Sequence, residues 1–420
     1  MASQSKQLKE KCSKSTCRSC EHQGLLPVLD LGMMPHSDGF LSKSQLSEIE
    51  PKYPLEAAFC PNCSLMQILE TVPPDVLFND EYIYFSSFSD SLLSHSRKNA
   101  LSLIEEYHLD SDSFVLEIAS NDGYMLKNFV EKGIPVLGID PVEGLAQAAE
   151  KIGIPTLQAF FTIDLSKKFR SEGKRADVLI ANNVLAHVAD TNGFVAGIGL
   201  VLKDNGVAVI EVPYVKDLIE RSEFDTIYHQ HLCYFSVTAL DKLFRRHGLF
   251  LNKVKRLPIH GGSLRLFIGL KEDVHESVRD LIRDEADEGL DKYPFYQHFG
   301  EKVQELRKKI RELLAEIKSE GKNIAGYGAA AKGAILLNYI SVGPDIIDFV
   351  VDRNIHKQGK YMPGVRIPIC DPAELIEQMP DYVLLLPWNL EKEILSQQTE
   401  YLKRGGRFII PVPQPRIVKL

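Results

Sequence analysis

Near the middle of the chain the run FDTIYHQHLCYFS, residues 224 to 236, sets His229 and His231 on either side of Gln230, with Tyr228 and Tyr234 close by. An imidazole titrates near pH 6.5, so it can accept a proton and return it at working pH. That suits a reaction in which a proton must leave one position and charge must be held at another. The glutamine can hydrogen-bond but takes up no proton at neutral pH. If the segment is extended, alternate side chains point opposite ways, so His229 and His231 share one face and Gln230 takes the other. A further imidazole, His187, lies in NNVLAHVAD behind a strand-like run. A lone histidine is more often a surface or hydrogen-bonded core residue, so these positions gain meaning only from what surrounds them.

The cysteines offer a different chemistry. Cys12, Cys17, Cys20, Cys60 and Cys63 crowd into the first 63 residues, leaving only Cys233 and Cys370 beyond. TCRSC and FCPNC are two Cys-x-x-Cys knuckles, separated by 39 residues. Four thiolates at Cys17, Cys20, Cys60 and Cys63 satisfy a closed tetrahedral zinc site, which organises fold and leaves no position for a substrate. Paired disulfides and reduced core cysteines are the competing readings, and a reducing compartment argues against the disulfides. Cys12 is the extra thiol and a bystander.

Elements must position these groups. From about residue 90 helical and strand-like runs alternate: SLLSHSRKNALSLIEEYH reads as helix, FVLEIAS as buried strand, GYMLKNFVEKG as a short helix beginning near Tyr124, and PVLGIDP as a second strand. ADVLIANNV and GVAVIEVPY add strands, so a doubly wound parallel sheet is expected through about residue 290. The charged amphipathic run EKVQELRKKIRELLAEIKSEG then predicts a long helix leading into a second, smaller α/β unit.

In EIASNDGY, Glu117 ends the strand and Asn121, Asp122 and Gly123 form the turn, where the carboxyl end of a parallel strand lines a ligand crevice. Asp140 ends the next strand, where a carboxylate can accept both ribose hydroxyls of an adenosine or can simply cap a turn. There is no G-x-G-x-x-G, and Asp122 would repel a pyrophosphate, so NAD is disfavoured. Glu117 and Asp122 suit the cationic amino-acid end of S-adenosylmethionine. Further on, GYGAAAKG follows a strand and opens a helix; its glycines expose backbone N–H groups and Lys332 adds positive charge, a diphosphate cradle or a tight turn with a solvated lysine. It is not a Walker sequence.

Bulk properties set the limits. At 420 residues two or three domains are expected. A net charge of −8 gives no basic footprint for nucleic acid. No run of eighteen apolar residues and no signal-like N-terminus appear, so the expectation is a cytoplasmic protein with neither membrane nor nucleic-acid partner.

The motif order TCRSC, LDLGMMPHSDGF, FCPNCSLMQ, EIASNDGYML, GIDPVEGLA, NNVLAHVAD, FDTIYHQHLCYFS, LPIHGGSLR, GYGAAAKG and DRNIHKQGKYMPG resembles, almost end to end, the S-adenosylmethionine-dependent C-methyltransferases of nucleotide-linked keto-deoxysugars. The resemblance implies an α/β protein with a zinc-binding domain at 1–80, a class I methyltransferase (Rossmann-like) domain at 81–292 and a Rossmann-like nucleotide-sugar-binding domain at 293–420. It implies methyl transfer to carbon, at C3 of a nucleotide-diphosphate 4-keto-6-deoxysugar, through a histidine-assisted enolate. It makes His231 and His187 the catalytic pair, with Gln230 and Tyr228 beside them. Glu117, Ala119, Asn121, Gly123, Asp140, Pro141 and Asn182 would hold the cofactor. Tyr82, Tyr84, His260, Arg265, Tyr327 and Lys332 would hold the substrate, HGGSLR facing either the sugar or a domain interface. Two departures stand out: Ala119 where many relatives have glycine, and Gln230 where relatives commonly have glutamate. The second leaves three readings, an orienting amide with His231 as sole base, methylation of another position or of oxygen, and a homologue that binds without transfer.

Overall fold

The computed structural model describes residues 2–77 and 85–420, so Tyr82 and Tyr84 lie outside the described residues. The described strands, in chain order, are β1 (Leu26–Pro35), β2 (Lys52–Phe59), β3 (Met66–Ile68), β4 (Val115–Ile118), β5 (Val136–Asp140), β6 (Thr156–Gln158), β7 (Ala176–Asn182), β8 (Leu202–Pro213), β9 (Cys233–Tyr234), β10 (Phe250–Leu257), β11 (Ser263–Gly269), β12 (Ile324–Tyr327), β13 (Val350–Val351), β14 (Ile369–Cys370), β15 (Tyr382–Leu385), β16 (Arg407–Ile410) and β17 (Arg416–Val418). They form three sheets.

The central sheet has the order β10-β11-β8-β7-β4-β5-β6. Strands β4 to β8 pair in parallel, and β4 is apolar on both faces apart from Glu117, as a strand covered by helices on both sides must be. The expected all-parallel sheet is corrected at one edge. There β10 and β11 form an antiparallel hairpin that pairs antiparallel with β8, so the class I α/β fold ends in a two-stranded extension. Another correction concerns the turn after β4. Its helix starts at Lys127, not Tyr124, because Ala119, Asn121 and Gly123 all take positive φ and carry the chain through a wide loop first.

The N-terminal sheet, β1-β2-β3-β9, is built from distant parts of the chain. Its fourth strand comes from the histidine run, with Met66 opposite Tyr234 and Gln67 opposite Cys233. The C-terminal sheet, β14-β13-β12-β15-β16-β17, is parallel except for β17. It is reached through the helix Phe299–Ser319, whose Val303, Leu306, Ile310, Leu314 and Ile317 recur at three- and four-residue spacing and are buried. One continuous apolar core joins these parts; Phe224, for instance, is fully buried against Tyr339 of the C-terminal unit. Among the described residues no helix is long and apolar enough to cross a membrane.

Candidate active site

The four knuckle cysteines converge. Their sulfurs all lie within 4.8 Å of one another, with Cys17 and Cys63 at 3.5 Å and Cys20 and Cys60 at 3.6 Å. These separations are far too long for disulfides and close to the ~3.8 Å between thiolates sharing one tetrahedral zinc with Zn–S bonds of about 2.3 Å. Asn62 Nδ2 donates to Cys20 Sγ at 3.4 Å, a supporting contact of the kind that orients a thiolate ligand. Cys12 is fully buried apart from this set.

At the carboxyl edge of the central sheet a second set of groups converges. Asp140, at the end of β5, accepts from the backbone N–H of Asn121 at 2.9 Å and of Val142 at 3.0 Å. Burial outweighs these bonds and pushes its pKa up to about 6. Glu117 is buried beside Asp140 and Asp122 and is raised well above the usual carboxylate range, by burial first and then by those two charges. The turn also holds the following segment: Asn121 Oδ1 accepts from Ser86 N–H and Asp122 Oδ2 from Ser87 N–H. Gly123 has φ +77°, and a Cβ there would lie 2.9 Å from Ile154 Cγ1, so the backbone must be bare. Ala119 adopts φ +53° in the same loop, with a Cβ that disfavours it.

Glu117 Oε2, Asp122 Oδ1 and Asn182 Oδ1 are buried with no hydrogen-bond partner among the described residues. Two unpartnered carboxyl oxygens and an amide oxygen, with Asp140 beside them at the strand ends, fit a ligand that brings positive charge and hydroxyl donors, and S-adenosylmethionine has both. Pro141, half-buried, follows β5 at the rim.

The histidine run does not continue as a strand. It turns at residues 229 and 230, and only Cys233–Tyr234 is extended, so the expected alternation gives way to three separate directions. His229 is buried and its Nε2 faces Pro54 O at 3.2 Å. Gln230, also buried, points at the loop after β1, where its Nε2 donates to Asp38 Oδ2 at 2.9 Å and to His36 Nε2 at 3.0 Å while Ser37 donates to its Oε1 at 2.9 Å. His231 alone turns toward the half-open space shared with Tyr228 and His187. Its ring lies 4.7 Å from that of His187, edge to face, and 4.0 Å from that of Tyr228. The backbone assists this pairing, since Leu232 N–H donates to Ala186 O at 2.7 Å.

The tautomer of His231 follows from its partners. Nδ1 lies 2.9 Å from Thr226 O, and a carbonyl can only accept, so Nδ1 carries the proton. In the neutral ring Nε2 then presents a lone pair, which accepts from Tyr228 OH at 2.8 Å. His187 is neutral as well, because burial pushes its pKa down to about 4. The arrangement can take a proton on Nε2 and place a hydroxyl and a neutral imidazole beside it.

The residues assigned to substrate are dispersed. Arg265 lies on β11 directly opposite Glu211 of β8, and its guanidinium is held there, Nε donating to Glu211 Oε1 at 2.7 Å and Nη2 near His95 Nε2 at 3.2 Å. His260 sits in the turn Ile259–Gly261, and its side chain lies outside what the structure describes. Tyr327 closes β12 and is buried, its hydroxyl accepting from Gln398 Nε2 at 3.3 Å. Lys332 lies in the first turn of the helix Ala331–Ile340 that follows the glycine turn. It reaches Asn389 Oδ1 at 2.9 Å and lies 4.5 Å over the Trp388 ring, in a buried cluster with Glu223 and Asp225. Its charge and those two acidic groups act on one another, and the Ala329 N–H in the glycine turn is capped by Asp352 Oδ2 at 2.7 Å. The same cluster holds Asp225 through Trp388 Nε1 at 2.7 Å, one residue before the carbonyl that fixes His231. His36, Ser37, Asp38 and Thr226 escaped the sequence reading, although PHSDGF is visibly dense in polar groups.

Comparison with known proteins agrees with this layout. Family profiles match in order along the chain: "Putative zinc binding domain" over 17–78, "Methyltransferase domain" over 92–253 and "C-methyltransferase C-terminal domain" over 258–413. C-methyltransferase NovU of Streptomyces niveus is 35% identical over 405 residues, covering 96% of each chain. Among solved structures, the magnesium protoporphyrin IX methyltransferase of Synechocystis with bound SAH is 11% identical, covering 42% of this chain and 82% of that one, with a TM-score of 0.34. A SAM-dependent methyltransferase of Archaeoglobus fulgidus is 18% identical over 38% and 72%, with a TM-score of 0.32. With a full-length relative and three ordered family matches, the chain belongs to the S-adenosylmethionine-dependent C-methyltransferases that carry an N-terminal zinc-binding domain.

Proposed function

We propose that this C-methyltransferase acts at C3 of a nucleotide-diphosphate 4-keto-6-deoxysugar, with His231 as the base. The observation that carries the reading is the fixed orientation of His231, whose Nδ1 is tied to Thr226 O and whose Nε2 faces the Tyr228 hydroxyl beside the His187 ring, so that the hydroxyl must swing off Nε2 for the base to meet a substrate. The substrate class comes from the sequence resemblance to the deoxysugar enzymes. His231 Nε2 takes the proton on the carbon next to the ketone, and the C–H electron pair becomes the enolate. In this reading Tyr228 OH, once turned from His231 Nε2, would donate to the enolate oxygen, with the neutral His187 ring beside it. S-adenosylmethionine, when bound, supplies the electrophilic methyl group that the enolate carbon captures as the C–S bond breaks. Glu117, Asp122, Asp140 and Asn182 are the residues that would hold it, with Ala119, Asn121 and Gly123 lining the turn.

For the nucleotide we favour the junction between the central and C-terminal sheets, where an open cleft of about 320 Å³ is lined by Asp90, Arg353, Pro372, Gln397 and Gln398. Arg353 there faces Asp90 at 3.6 Å across the cleft and would have to exchange that carboxylate for a diphosphate. We divide the chain near residues 80 and 292, and we place it in the cytoplasm because a thiolate zinc site is best kept in a reducing compartment. The test is incubation with S-adenosylmethionine carrying a ¹³C methyl group and a panel of nucleoside-diphosphate 4-keto-6-deoxysugars. A labelled methyl bonded to C3 supports the reading; label on oxygen, or at another carbon, overturns it.

A further inference from the structure

Gln230 stands next to the proposed base yet faces away from it, which raises the question of what its side chain holds. The loop after β1 folds back on itself through Gly39 N–H to His36 O at 3.0 Å, and a Cβ on Gly39 would lie 3.2 Å from that oxygen. The loop thereby brings His36, Ser37 and Asp38 around one buried amide. Its orientation is dictated: with the amide reversed, its oxygen would face the Asp38 carboxylate. As it stands, both N–H groups have acceptors and the oxygen has a donor. For His36 Nε2 to accept, its proton must sit on Nδ1, and burial, which lowers its pKa against the pull of Asp38, keeps the ring neutral.

This contact is one of three that pin the turn to the N-terminal sheet. The others are His229 Nε2 to Pro54 O and the β3–β9 ladder, extended by Ile68 N–H to Leu232 O at 3.0 Å. His231 lies inside the pinned stretch. We infer that Asp38 is a positioning residue for the base: acting through Gln230, it fixes the turn at residues 229–231 and so sets where His231 Nε2 points. The inference rests on the reading of His231 as base. It also answers why position 230 carries an amide. A carboxylate at 230 would meet the Asp38 carboxylate at hydrogen-bonding distance, and one of the two would have to keep a proton. The other titratable or charged groups around the pair are His36, His229, Glu50, Tyr53 and Lys360, the last three lining with Asp38 a cavity of about 190 Å³.

The test is a double-mutant cycle on the full-length, zinc-loaded protein: wild type, Gln230→Glu, Asp38→Asn and the double variant. The readouts are cofactor affinity and the pH profile of α-proton exchange in the ketosugar that the wild type uses. Gln230→Glu lowers kcat about 100-fold, with KM changed far less, and adds an ionisation above the ordinary carboxylate range, because two carboxyl groups share one proton. Asp38→Asn alone stays within about threefold, since the oxygen of the introduced amide still accepts from Gln230. In the double variant the amide introduced at position 38 donates to the carboxylate introduced at position 230, kcat returns to within about fivefold of wild type and the extra ionisation disappears. Failure of Gln230→Glu to fold, with recovery of fold and exchange in the double variant, supports the same coupling. Additive losses, or an unchanged pH profile in an active Gln230→Glu, overturn the role of Asp38 while leaving His231 as base. If the wild type exchanges no α-proton with any ketosugar, the reading of the base fails and the positioning role falls with it.

Discussion

Lowering the pH from about 7 to about 5 weakens S-adenosylmethionine binding about tenfold, through Asp140. The magnitude follows from the structure. Burial holds the Asp140 carboxyl up at about 6 in the free protein, against the Val142 and Asn121 N–H bonds that pull it down. To accept ribose hydroxyls it must be ionised, and the added donors return it toward an ordinary value of about 3.9. The free protein is then protonated in a ratio of about 10 to 1 at pH 5 and about 1 to 10 at pH 7, so the ionised fraction changes about tenfold, or about 1.4 kcal/mol. The sign is fixed, because a group whose pKa falls on binding releases a proton. Affinity is therefore full above about pH 7 and declines as the pH falls through 6, levelling near 4. Isothermal titration at constant ionic strength measures it, with S-adenosylhomocysteine as a second ligand that keeps the ribose and shares the slope. Asp140→Asn binds weakly and has a smaller slope in this range, what remains coming from Glu117, whose carboxyl burial also raises. A flat wild-type profile between about pH 5 and 7.5, or the same slope in Asp140→Asn, would refute the reasoning.

Three further outcomes are expected. Ala119→Gly relieves the φ +53° conformation and, after the entropy of a more flexible unfolded chain is deducted, stabilises by about 0.5–1 kcal/mol, read as a small rise in the calorimetric transition with cofactor affinity unchanged. Zinc removal by a strong chelator, or Cys60→Ser, releases one metal per chain and lowers methyl transfer at least about 100-fold while cofactor affinity holds, because β3 carries the β9 segment that continues from His231; full activity in metal-free protein contradicts that link. Lys332→Ala removes the bond to Asn389, the contact with Trp388 and the positive charge beside Glu223 and Asp225, and destabilises by about 1–3 kcal/mol, lowering the unfolding temperature; a raised sugar KM with unchanged stability would give Lys332 a substrate role alone.

What the sequence made legible was local. Two Cys-x-x-Cys pairs carry their chemistry in their spacing, and the helix Phe299–Ser319 is written in its apolar period. EIASNDGY shows its crevice because strand, turn and acidic groups are adjacent in the chain. What was hidden depends on contacts across long separations. Gln230 meets Asp38 from 192 residues away, and β9 joins a sheet begun by Leu26, so the turn at 229–230 overrode an extended pattern. The surroundings of Lys332 were hidden for a related reason: its charge suits an anion, and Glu223 and Asp225, the acidic groups that act on it, come from another unit of the chain. Arg265, expected at the substrate, faces Glu211 on the neighbouring strand, a register that no local pattern announces.

The account stands most directly on the proton that His231 removes. Solvent deuterium incorporation at C3 should be measured for a panel of 4-keto nucleotide sugars, with and without S-adenosylmethionine, in wild type and in His231→Asn. The account predicts exchange at C3 by the wild type without cofactor, a C3-methyl product when cofactor is present, and loss of both in His231→Asn with cofactor affinity intact. Exchange that persists in His231→Asn, or a methyl product formed by the wild type with no exchangeable C3 proton, would contradict it.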